Sequence, residues 1–99
     1  MDYKVIWDDE AIEELSRIVQ YIAADNPSAA RKMGLAILDN VKRLGSFPEI
    51  GRVFSRLNRS DVREISVRPY RIIYHCQNAA RCVRILKIWH GARQDPEIK

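Results

Sequence analysis

Residues 62–93, VREISVRPYRIIYHCQNAARCVRILKIWHGAR, constrain the fold more than any other stretch, because three β-rich runs follow one another with almost nothing between them. Val62 to Val67 is bounded by Arg68-Pro69, Tyr70 to Gln77 by Asn78-Ala79-Ala80, and Cys82 to His90 by Gly91. Connections this short are hairpins, so the spacing predicts an antiparallel three-stranded meander. Alternation along the second run puts Tyr70, Ile72, Tyr74 and Cys76 on one face and Arg71, Ile73 and His75 on the other. In the third run Val83, Ile85, Lys87 and Trp89 oppose Arg84, Leu86, Ile88 and His90. Neither run is polar on one side throughout, which predicts a central, mostly buried pair. Arginines at 63, 68, 71, 81, 84 and 93 then mark a surface suited to an anionic partner.

Upstream of the meander the pattern changes period. Tyr3 to Trp7 is a short β-branched and aromatic run, the expected first strand. Asp8 is placed to cap a helix, with Asp9 and Glu10 in its first turn, where the helix dipole favours negative charge. Ala11 or Ile12, Leu15, Ile18 or Val19, and Ile22 form its apolar stripe. Asp25-Asn26-Pro27 breaks that helix and starts another, with Asn26 as cap and Pro27 in the first turn. Ala30, Met33, Ile37, Val41 and Leu44 form the second stripe, and Gly45 is expected as a left-handed C-cap. So short a connection predicts an antiparallel helical hairpin. Residues 46–61 carry no sustained period and contain Pro48, Gly51 and Asn58, so a long loop is expected there. Its Phe47, Ile50, Val53, Phe54 and Leu57 are too apolar for the whole of it to stay in water.

The fold class that results is α+β: an N-terminal strand, then a two-helix hairpin packed on a C-terminal three-strand meander. At 99 residues this is expected to be one domain, 1–99. A composition 46% hydrophobic and 30% charged excludes a disordered chain. No run of about 18 apolar residues occurs and the early segment is interrupted by acids, so a cytoplasmic location without a membrane partner is expected. Charge is divided unevenly: residues 1–50 hold 6 Lys/Arg against 9 Asp/Glu, residues 51–99 hold 11 against 4. The basic half points to a nucleic acid or an acidic protein segment. Cys76 and Cys82 lack further ligands at metal spacing, so buried reduced thiols are expected, with no metal and no cofactor.

Strand, helix, helix, loop and meander, with VREISVRPYRIIY and a closing RILKIWHGAR, together resemble the RelE/ParE superfamily of small bacterial toxins. Arg63, the YRIIY run with Arg71 and Tyr74, and the ending with Arg84, His90 and Arg93 carry the resemblance most specifically. The NP at the second helix and the FPEIGR loop are similar to the ParE branch. The resemblance implies the toxin of a type II toxin–antitoxin pair, bound by a cognate antitoxin in a hetero-oligomer. Its ParE branch implies a non-enzymatic inhibitor of DNA gyrase. Its RelE branch implies instead an endonuclease that cuts mRNA on the ribosome and needs a base, an acid and cations at one phosphate. That branch's lysines and C-terminal tyrosine are missing here, since no lysine lies between residues 44 and 86 and no tyrosine follows Tyr74. Such departures favour the ParE-like reading, in which a basic surface suffices.

If the chain is a nuclease, Glu49, Arg71 and His90 are the candidate catalytic set. For target or antitoxin contact the candidates are Arg63, Arg68, Arg71, Arg84, His90 and Arg93. Each has a plainer alternative. His90 before Gly91 is either an acid–base group or a hydrogen-bonded structural residue, and Arg71 either a phosphate contact or a structural arginine bonded to loop carbonyls. For His75 packing is the expected role, and for Tyr70, Tyr74 and Trp89 it is core packing rather than base stacking. A nucleic-acid-binding module without toxicity is the remaining reading.

Overall fold

The computed structural model describes residues 2–57 and 59–98, so Asn58 of the expected loop lies outside it. The chain runs β1 (Lys4–Trp7), α1 (Asp9–Ala23), α2 (Pro27–Ser46), β2 (Arg52–Val53), β3 (Val62–Val67), β4 (Tyr70–Gln77) and β5 (Cys82–His90). All five strands share one sheet in the order β1-β5-β4-β3-β2. The meander forms as its spacing predicts, and β1 adds to its far edge in parallel with β5. β2 is a two-residue correction to the expected loop, pairing antiparallel with β3.

The helices cover one face of the sheet. Ala11, Ile37, Val41 and Leu44 meet Ile72, Tyr74, Val83 and Ile85, with Leu15, Ile18 and Met33 packed around them. Each fully buried side chain of this size stabilises the fold by roughly 1.5–3 kcal/mol. Asn26 caps α2 as expected, its Oδ1 accepting from Ala29 N at 3.1 Å. Two other expectations about helix ends are corrected. Asp8 stands at the N-cap of α1 but makes no side-chain cap bond, because its carboxylate is taken by Arg84 of β5. Gly45 lies within α2 without a positive φ, and the helix ends at Ser46 with Phe47 as its C-cap. Its missing Cβ serves packing, since an added one would stand 3.0 Å from the Tyr3 carbonyl, and the Gly45 carbonyl accepts from Tyr3 N at 2.7 Å.

A second, smaller core forms on the face away from the helices, where Phe54, Val62 and Ile73 are buried under Leu57, Leu86, Trp89 and Ile98. Of the apolar loop residues, Phe54 and Leu57 pack here while Phe47, Ile50 and Val53 stay exposed. The pairing of β4 with β5 shifts between Ile73 and Tyr74, which face Lys87 and Ile85. Leu86 is thus the extra residue of a bulge, and the bulge resets the alternation. After it Ile88 faces the helices with Ile72, whereas Trp89 opposes Arg71 on the other face, the reverse of the expected grouping.

Candidate functional site

The face opposite the helices collects the cations that the sequence concentrates in the C-terminal half, and it pairs most of them with carboxylates. Arg84 binds Asp8 and Lys87 binds Glu10, so the acidic start of α1 reaches across to β5. Arg59 meets Asp61, Arg56 meets Glu97, and Arg52 approaches Glu64 at 3.4 Å. The surface is therefore far less electropositive than its sequence implies.

Arg71 is the most enclosed of the arginines paired here, with 13% of its side chain exposed. Its Nε and Nη2 donate to Glu64 at 2.7 and 3.2 Å, and its Nη1 donates to Asp95 at 2.8 Å. Its guanidinium also lies 5.8 Å from the centre of the Phe54 ring. These partners, Glu64 first, push its pKa further above the usual arginine value. Arg71 is a structural arginine of a kind the strand pattern did not offer, held by side-chain carboxylates rather than loop carbonyls. The loop carbonyls belong to Arg63 instead, whose Nη1 donates to Gly51 O at 2.8 Å.

At the other end of the same face His75 Nε2 stands 2.8 Å from Asp61 Oδ2, and Gln77 Nε2 stands 3.3 Å from His75 Nδ1. With the amide donating to Nδ1, the Nε2–H donates to Asp61. The Arg59 guanidinium, bonded to both Asp61 oxygens, holds that carboxyl well below the usual carboxylate range. His75 thus belongs to a polar network and not to the packing expected for it.

Glu49, Arg71 and His90 are not brought together. His90 meets Tyr70 edge-on at 5.5 Å on the helical face, and its Nδ1 accepts from Ala92 N at 3.1 Å. Glu49 is exposed on the turn after α2, and its charge acts on Tyr74 and Cys76, which also face the helices. Arg71 points the other way. Of the remaining candidates, Arg68 is exposed on the β3–β4 turn, and Arg93 stacks 3.9 Å above the Trp89 ring. Tyr70 and Tyr74 are core residues, as expected, and Cys76 and Cys82 are free and buried.

The carboxylates of this face were missed. Glu64 carried the clearest signal, as the one acid inside the three strand runs: a lone carboxylate on a buried strand needs a cation beside it. Asp95 and Glu97 gave none, because they lie beyond the last strand in a segment without periodicity.

A family model described as the ParE toxin of type II toxin–antitoxin system, parDE, matches residues 5–95. Toxin RelE2 of Caulobacter vibrioides is 34% identical over 91 residues, covering 91% of this chain and 97% of that protein. The solved chromosomal ParDE toxin–antitoxin system from P. aeruginosa superposes with a TM-score of 0.73 at 20% identity, covering 89% of this chain and 95% of that one. The intact E. coli RelBE toxin–antitoxin complex gives 0.65 at 15% identity, over 92% and 99%. A strand, a helical hairpin and a meander closing a five-stranded mixed sheet define a toxin fold of the RelE/ParE type. The chain belongs to the ParE toxin family of type II toxin–antitoxin systems. No helix among its described residues is long and apolar enough to cross a membrane.

Proposed function

We propose that this toxin arrests growth in the cytoplasm by inhibiting DNA gyrase without cutting RNA, and that a cognate antitoxin holds it inactive in a hetero-oligomer. The observation that carries this reading is the dispersal of the nuclease groups. Cleavage through the RNA 2′-hydroxyl needs a base, an acid and a free cation within hydrogen-bond reach of one phosphate. Here Arg71 already bonds Glu64 and Asp95, while His90 packs on Tyr70 on the helical side of the sheet and Glu49 is exposed on the turn after α2. Inhibition by binding asks for a surface alone, and Arg63, Arg68, Arg71, Arg84, His90 and Arg93 are the contacts we assign to target or antitoxin. The antitoxin partner is supported by relatives of this fold solved as toxin–antitoxin systems.

Mapping RNA 5′ ends in cells arrested by the induced chain tests the non-cutting mode. Messages unbroken during arrest agree with it. New 5′ ends inside translated regions would reject it in favour of ribosome-dependent endonuclease activity, the reading that the name of the Caulobacter relative favours.

A further inference from the structure

The segment that follows β5 turns back along the face opposite the helices and is held there at successive residues. Gln94 O accepts from Trp89 Nε1 at 2.7 Å, Asp95 Oδ1 from Arg71 Nη1 at 2.8 Å, and Glu97 Oε1 from Arg56 Nη2 at 2.8 Å. Between the two acids Pro96 is buried, and Ile98 joins the cluster of Phe54, Val62 and Ile73. Residues 94–98 thus lie on the sheet as a bound peptide would: carboxylate, proline, carboxylate, aliphatic. The receiving arginine is prepared for this. Glu64 fixes Nε and Nη2, which leaves the Nη1 edge turned towards a second anion in a partly dehydrated setting, where a charge-assisted hydrogen bond gains strength.

We propose that this groove is a docking site for an acidic, extended peptide of a protein partner, with carboxylates two residues apart and an aliphatic side chain next, and that residues 94–98 are its resident, exchangeable occupant. A peptide fits better than a nucleic acid because the cations adjoin apolar seats for Pro96 and Ile98, and because Glu64 in the wall would repel a track of phosphates. The assignment holds whether the toxin's target is gyrase or message. A tethered occupant competes at an effective concentration on the order of millimolar, so an added peptide reads out weakly until the resident contacts are loosened.

The test uses the full chain and a peptide with the sequence of residues 93–98, RQDPEI, followed by calorimetry and by the emission of Trp89, which the resident segment touches. The double variant D95N/E97Q, confirmed folded by circular dichroism, is expected to bind that peptide at least about tenfold more tightly than the unaltered chain. Glu97→Gln alone, a change at an exposed position, is expected to shift affinity the same way by less. A peptide carrying Asn and Gln in place of its two acids should lose the binding. Equal affinity for the altered and unaltered chains, undiminished binding of the neutral peptide, or tighter binding of a short single-stranded RNA than of the acidic peptide would each overturn the proposal.

Discussion

Arg71 grips Glu64 at two points, Nε to Oε1 at 2.7 Å and Nη2 to Oε2 at 3.2 Å, across the β3–β4 pair. Glu64 is 4% exposed, the one buried acid among the described residues. A carboxylate so placed depends chiefly on Arg71, since Arg52 reaches it only at 3.4 Å from an exposed side chain, and a poorly compensated buried charge costs far more than a lost surface contact.

Removing either member should therefore be severe, and removing both much less so. Arg71→Ala is expected to cost about 3–5 kcal/mol. In a cycle with Glu64→Ala the double variant should recover at least about 1 kcal/mol relative to the sum of the singles. Urea unfolding of the four proteins measures this, and additive losses would show the pair to be uncoupled.

Gly51 is required by close approach. Its N–H donates to Tyr74 OH at 2.9 Å, and an added Cβ would stand 2.6 Å from both that hydroxyl and the Glu64 carbonyl. One of those atoms is backbone and the other belongs to a fully buried ring, so neither yields easily. Gly51→Ala is expected to destabilise the chain by roughly 1–3 kcal/mol, read as a lowered urea midpoint at unchanged slope.

Asp61 gives a pH dependence of known sign. Its folded pKa is depressed, so its contribution is complete above the ordinary carboxylate value of about 4 and fades as pH falls towards the folded value. The stability gap between the unaltered chain and Asp61→Asn should be widest at neutral pH and narrow steadily below about pH 4. A gap that stays constant, or widens, between pH 7 and about pH 3 would contradict this assignment.

Much of the fold was legible in the chain. The bounds of β3, β4 and β5 follow from Arg68-Pro69, from Asn78-Ala79-Ala80 and from Gly91, and the helical hairpin from Asn26-Pro27. These are local signals, each carried by a residue that restricts its own backbone or caps it. What escaped depends on contacts distant in sequence. The bulge at Leu86 arises from pairing with β4, and β2 exists because β3 offers it an edge. Asp8 looked like a cap and became a partner of Arg84, 76 residues away. The same cause limited the reading of the site. Six arginines in 32 residues describe cations, yet the meaning of Arg71 and Arg84 lay in Asp8, Glu64 and Asp95, whose positions only the folded chain brings together.

The central claim is that this ParE-family toxin acts on gyrase by binding, and a supercoiling reaction tests it most directly. Purified chain is incubated with gyrase, ATP and relaxed plasmid, and the topoisomers are resolved on a gel. The account predicts loss of supercoiling or accumulation of cleaved plasmid as the chain is added. Supercoiling that continues unaffected at a large excess of folded chain would contradict it.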